Sequence, residues 1–180
     1  LSGTETEAAP AEGAAEPASP PVVDIGAADG GPEIALGDTI GEGGMGVVSR
    51  ARQRSLDRDV ALKQLKPNAS RDAVARLLAE ARIAGALEHP NIVPVHALGV
   101  SRDGRPALVM KRVEGVTWKA MIERADHPAW EGHARERFHV ETLIAVCHAV
   151  ELAHSRGVAH RDLKPDNVMI GDFGEVYVLD

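Results

Sequence analysis

Aromatic residues make up only 3% of the 180 positions, and there is a single cysteine. A core must therefore be assembled from Ala, Val, Leu and Ile. Cys147 alone excludes an internal disulfide and suits a reducing compartment. No stretch approaches the ~20 consecutive apolar residues of a membrane-spanning helix, and no signal peptide is visible. Lys and Arg are missing from residues 1–33, which hold seven of the 27 acids; the other 20 acids balance the 20 Lys and Arg of the chain. The remainder is formally neutral, so nothing points to a nucleic-acid surface.

What is present describes a globular domain, with 44% hydrophobic and 26% charged residues and enough length for one core. Residues 1–33 are the exception. They are rich in Ala, Pro, Glu and Gly and almost free of large apolar side chains, so they are expected to be a disordered acidic tail. The domain is expected over 34–180. The chain starts at Leu1 and reads as a piece of something longer, cytoplasmic or tethered to a membrane through a segment outside these residues.

The densest concentration of chemistry is His160-Arg161-Asp162-Leu163-Lys164-Pro165-Asp166-Asn167. Asp162 could accept the proton of an attacking hydroxyl, Lys164 could neutralise a moving phosphoryl group, and Asn167 could hold a magnesium ion through its amide oxygen. Upstream, Gly41, Gly43 and Gly46 form Gly-x-Gly-x-x-Gly. Dinucleotide-binding folds share that spacing but require a helix after the last glycine. Here Val47-Val48-Ser49-Arg50-Ala51 is β-prone, and a turn over 53–57 leads to another apolar run. The glycines are thus expected on a hairpin, where backbone N–H groups can approach phosphates. In Val60-Ala61-Leu62-Lys63, alternation puts Ala61 and Lys63 on one strand face.

Asn68 or Ser70 can cap a helix from about Arg71 to Leu87. Glu80 lies within its apolar stripe and needs a partner, either Lys63 or, on the surface, Arg76 at i−4. Residues 95–100 and 107–110 form a hairpin, and Trp118 starts a short helix as a packing anchor. Residues 124–137 are a polar connection whose His127 and His133 are expected to be surface residues, not metal ligands. A long helix from about Phe138 to His154 should bury Leu143, Ile144, Val146, Cys147, Val150 and Ala153, and Gly157 should end it.

Together these runs resemble protein kinases, of the serine/threonine branch because of Lys164 and most like the bacterial eukaryotic-type members. The resemblance implies an α+β, protein-kinase-like fold. An antiparallel β small lobe with one main helix would span about 34–112, and the start of a mostly helical large lobe about 113–180. It implies an ATP-dependent protein serine/threonine kinase in signal transduction, with ATP and Mg2+ as cofactors and a protein substrate. Ile40, Gly41, Glu42, Gly43, Gly44, Met45, Gly46, Val47, Val48, Ala61, Lys63, Glu80, Met110 and Val113 would surround the nucleotide, with Met110 behind the adenine or simply in the core. Lys111 to Gly115 would connect the lobes. Asp162, Lys164 and Asn167 would be catalytic. Arg161 beside Asp162 suggests switching by a phosphate elsewhere in the parent protein.

Asp172-Phe173-Gly174 spells the family's metal motif but falls only five residues after Asn167, between the apolar runs 168–170 and 176–179. It is read as a turn. The metal aspartate, with Asn167, is then expected at Asp180, at the far end of the second strand. Residues 1–180 alone are expected to be inactive. The rival reading is a nucleotide-binding pseudokinase or scaffold, against which stands the intact set of catalytic residue types.

Overall fold

The computed structural model describes residues 25–26, 33–43, 46–101, 104–124 and 135–179. The tail up to residue 24, Gly44, Met45, residues 125–134 with His127 and His133, and Asp180 lie outside the described residues.

The first layer is a six-stranded sheet in the order β1-β2-β3-β4-β6-β5. Its strands are β1 (Ile25–Gly26), β2 (Ile34–Glu42), β3 (Gly46–Gln53), β4 (Arg58–Leu65), β5 (Val95–Val100) and β6 (Pro106–Lys111). Neighbours pair antiparallel, except β1, which lies parallel to β2. Ile25–Gly26 thus depart from the disorder expected for residues 1–33: two backbone positions pair with Ile34 and Ala35 of β2, which makes β1 the edge of the sheet. Glu33 fixes the start of β2 by accepting hydrogen bonds from Gln53 and Ser55.

The alternation read in 60–63 is realised in β4. Val60 and Leu62 pack with Ile34, Ala51, Ala107 and Val109 on one face. Burying a side chain such as Leu62, which is 0% exposed, contributes roughly 1.5–3 kcal/mol. Leu65 and Leu108 pack on the opposite side against Leu77 and Ala81 of helix α1 (Arg71–Ala86). Ser70 caps α1, its hydroxyl accepting from the Ala73 amide at 3.2 Å. Asn68 does not serve, because its φ of +68° lies in the left-handed region, whereas a cap residue is extended.

The second layer begins with a short strand that periodicity did not reveal, β7 (Gly115–Thr117), leading into α2 (Trp118–Glu123). α3 (Arg135–Ser155) follows, then β8 (Val168–Gly171) and β9 (Val176–Val178), which with β7 make an antiparallel sheet in the order β7-β8-β9. Gly115 has φ +151°, and a Cβ there would collide with the Ile170 carbonyl oxygen. Only glycine lets the chain turn into β7 this close to β8.

The face that α3 buries corrects the sequence reading. Thr142, Val146, Ala149 and Ala153 are buried, whereas Leu143 and Ile144 are 50% and 48% exposed and Cys147 is exposed rather than core. Small Ala149 lets α3 approach Val168, Ile170, Val176 and Val178, and the bulkier residues turn away. α3 ends as expected at Gly157, with φ +73°. The Val158 amide reaches Ala153 O and the Gly157 amide reaches His154 O, both at 2.9 Å, which is a Schellman closure.

Two chain segments join the layers. One is Lys111–Glu114, between β6 and β7. The other is the link after α1, which pairs with β9. The Val178 amide donates to Asn91 O at 2.8 Å, the Val93 amide to Val178 O at 3.3 Å, and the Asn91 side chain to Val176 O at 3.0 Å.

Candidate active site

In the lower layer, the backbone between α3 and β8 is held at both ends. The Leu179 amide donates to Asn167 O at 2.8 Å, and His160 Nε2 lies 3.0 Å from Leu179 O. The Asp162 amide donates to His160 Nδ1 at 3.4 Å, so His160 carries its proton on Nε2. Arg161 sits at φ +63°, a conformation unfavourable for a side chain of this size.

This frame gathers three expected residues. Lys164 Nζ is 2.8 Å from Asp162 Oδ2. The Asn167 amide nitrogen donates to Asp162 O at 2.9 Å and to Oδ2 at 3.1 Å. The Lys164 ammonium holds the Asp162 carboxyl below the usual carboxylate range; partial desolvation opposes it and the Asn167 bond adds to it. The same bond raises Lys164. An ionised, oriented carboxylate at the protein surface can accept a proton from a hydroxyl. Because Asn167 uses its nitrogen toward Asp162, its Oδ1 lies outside those bonds, as a cation ligand requires. Asp180 lies outside the described residues; the Leu179 amide donates to the main-chain carbonyl of Asn167.

In the upper layer, Lys63 and Glu80 meet at 2.7 Å; no such contact joins Glu80 to Arg76 among the described residues. Lys63 lies opposite Val48 on β3, and Ala61 lies opposite Met110 on β6. Along the glycine hairpin, Gly41 faces Val48, Glu42 faces Val47, and the Gly43 amide donates to Gly46 O at 2.9 Å. A Cβ at Gly43 would meet nothing within 4 Å, which leaves the open approach that a phosphate needs. Gly46 has a different reason, because a Cβ there would collide with the Gln64 carbonyl oxygen of β4. Ile40 is 52% exposed, and Glu42 pairs with Lys66 at 2.8 Å. A mainly apolar cavity of 340 Å³ separates the layers, lined among others by Glu80, Met110, His160 and Leu179. Val113 lines a separate, polar cavity with Arg52, Asp59 and Tyr177.

Asp172-Phe173-Gly174 is the turn from β8 to β9, with Phe173 94% exposed and Gly174 at φ +84°. Several polar ties had no local signal in the sequence. Lys119 of α2 pairs with Asp166 at 3.0 Å, and Lys111 Nζ donates to the Tyr177 hydroxyl at 2.6 Å and stacks over its ring. Arg112 pairs with Asp59 at 2.8 Å.

The protein kinase domain family model matches residues 34–180. The chain is 38% identical over 149 residues to the serine/threonine-protein kinase PknD of Chlamydia trachomatis serovar D, covering 78% of this chain and 16% of that protein. It is 40% identical over 144 residues to the serine/threonine-protein kinase PknK of Mycobacterium tuberculosis, covering 79% of this chain and 12% of that protein. The chain therefore spans under a fifth of the length of these two relatives. Among the described residues no helix is long and apolar enough to cross a membrane. With the β small lobe, the connection and the catalytic loop following one another in one continuous match, the chain belongs to the protein kinase domain family.

Proposed function

We propose that the parent protein transfers the γ-phosphoryl group of ATP to serine or threonine hydroxyls of proteins, in a signalling role. The arrangement at Asp162 carries this reading: an ionised carboxylate held by Lys164 at 2.8 Å and by Asn167 at 3.1 Å. Asp162 takes the proton of the substrate hydroxyl as its oxygen bonds to the γ-phosphorus. The bond from that phosphorus to the β–γ bridging oxygen breaks, and ADP leaves. Lys164, released from Asp162, faces the negative charge of the transferring group. Lys63, oriented by Glu80, binds the α- and β-phosphates, and the backbone of Gly41 to Gly46 covers them. Ile40, Val48, Ala61 and Met110 enclose the base, with Val113 offering its backbone. Asn167 through Oδ1, together with Asp180, would hold magnesium, which neutralises phosphate charge when bound.

Residues 1–180 by themselves are expected to be inactive, since Val140, Leu143, Ile144 and Leu163 leave an apolar surface 47–56% exposed on and beside α3. The test is magnesium-dependent phosphate transfer by the full-length parent and its Asp162→Asn variant. Transfer by the parent and its loss in the variant support the reading. ATP binding without transfer by either protein overturns it in favour of a pseudokinase.

A further inference from the structure

α1 presents Glu80 to Lys63, yet its own C-terminus is poorly finished. The last turn contains Gly85 and no basic residue, and Leu87 closes it at φ −95° without a left-handed glycine. The residue that follows is Glu88, whose charge has the wrong sign for the carbonyl end of a helix. The 340 Å³ cavity lies beside this end, lined by Glu80, Ile83 and Leu87 from the α1 side and by Ala153 and Val158 from the large lobe. The Leu87 amide closes back on Ala84 O at 3.2 Å, and the Ala86 carbonyl beyond it is met from the other lobe. The guanidinium of Arg156, just past the end of α3, donates through Nη1 to the carbonyl oxygen of Ala86.

From this geometry we infer that Arg156 is a positioning residue that latches the C-terminal end of α1 and so keeps Glu80 on Lys63. The inference rests on the kinase reading for its consequence in turnover, but not for its structural content. Glu80 lies six residues before Ala86, about 9 Å along the axis at 1.5 Å per residue. The link after α1 is already fixed to β9 through Asn91 and Val93. With Arg156 in place, α1 is gripped on both sides of its end, and sliding or fraying of the last turn is suppressed. Without it, the Ala86 carbonyl turns to water and the helix can shift over the cavity, taking Glu80 with it. A cation is what the site requires, so lysine should substitute in part.

The experiment uses the full-length protein with Arg156→Ala, Arg156→Lys, Glu80→Gln and the Arg156→Ala/Glu80→Gln pair. Amide hydrogen exchange over residues 80–87 should quicken by roughly fivefold in Arg156→Ala, as expected for losing a cation at a helix C-terminus, with partial recovery in Arg156→Lys. Affinity for ATP should fall several-fold in Arg156→Ala but by less than about twofold when Glu80→Gln is already present, the non-additivity of residues acting through one another. Unchanged exchange in folded Arg156→Ala, or an affinity loss that persists in full in the Glu80→Gln background, overturns the inference. If the alanine variant does not fold, exchange in Arg156→Lys decides, and a profile as fast as that of a melted helix end overturns the latch. Failure of the wild type to transfer phosphate would sink the kinase reading alone, since exchange and ATP affinity are measured without turnover.

Discussion

Lys63 Nζ lies 2.7 Å from Glu80 Oε1, with the lysine side chain 8% exposed and the glutamate 25%. The lysine has given up most of its water, whereas the glutamate can still turn to solvent. The two ends of the pair are therefore unequal. In the full-length kinase, Lys63→Met should lower kcat/KM by at least about 100-fold, roughly 2.7 kcal/mol of transition-state stabilisation. Glu80→Gln keeps a hydrogen-bond acceptor and should cost less, on the order of tenfold. Steady-state kinetics with ATP as the varied substrate check the order, and equal losses would contradict it.

Asp162 and Lys164 make a prediction about titration. The folded-state carboxyl titrates below its ordinary value because of the Lys164 ammonium first. Such a group binds fewer protons folded than unfolded, so its stabilisation is present above the unfolded pKa of about 3.9 and lost as pH falls through the lower folded value. Lys164→Gln should move the Asp162 titration upward, toward the ordinary carboxylate range. Carboxyl carbon NMR shifts followed against pH measure it, and a midpoint that does not move would assign the depression to Asn167 instead. A rate loss in the variant combines the loss of the 2.8 Å contact that holds Asp162 with the loss of positive charge at the phosphoryl group.

Gly115 and Gly174 both have positive φ, but only Gly115 is also crowded, by the Ile170 carbonyl. Gly115→Ala should destabilise the kinase domain by more than about 3 kcal/mol, since strain and a backbone collision combine. Gly174→Ala, with nothing within 4 Å of its Cβ, should cost only the roughly 1–2 kcal/mol of a left-handed alanine. Denaturant unfolding of the two variants gives the comparison.

Most of the element order could be read from residues because each element carried its own local rule. Glycine spacing with no helix to follow marked the β2–β3 hairpin, alternation marked β4, and helical spacing with a cap residue marked α1. α3 exposed the limit of that method. Its apolar residues spread over more than one face, so periodicity had no means of choosing, and the choice fell to Ala149 and Ala153, whose small size only matters once β8 and β9 lie against them. β7 was invisible because three residues acquire strand geometry only by pairing with β8. Lys119 with Asp166, and Lys111 with Tyr177, are 47 and 66 residues apart, and no local pattern encodes such a meeting. Position also settled Asp172-Phe173-Gly174, since a tripeptide at the tip of a hairpin presents its side chains to water.

The pairing of Asn91 and Val93 with β9 has a mechanical meaning. A body joined to another at one point can swing in any direction. Joined through Lys111–Glu114, again through 91–93 and by Arg156 at Ala86, it loses most of those directions. Lys63 belongs to one lobe and Asp162 to the other, so any change in how wide the entrance stands is also a change in their separation.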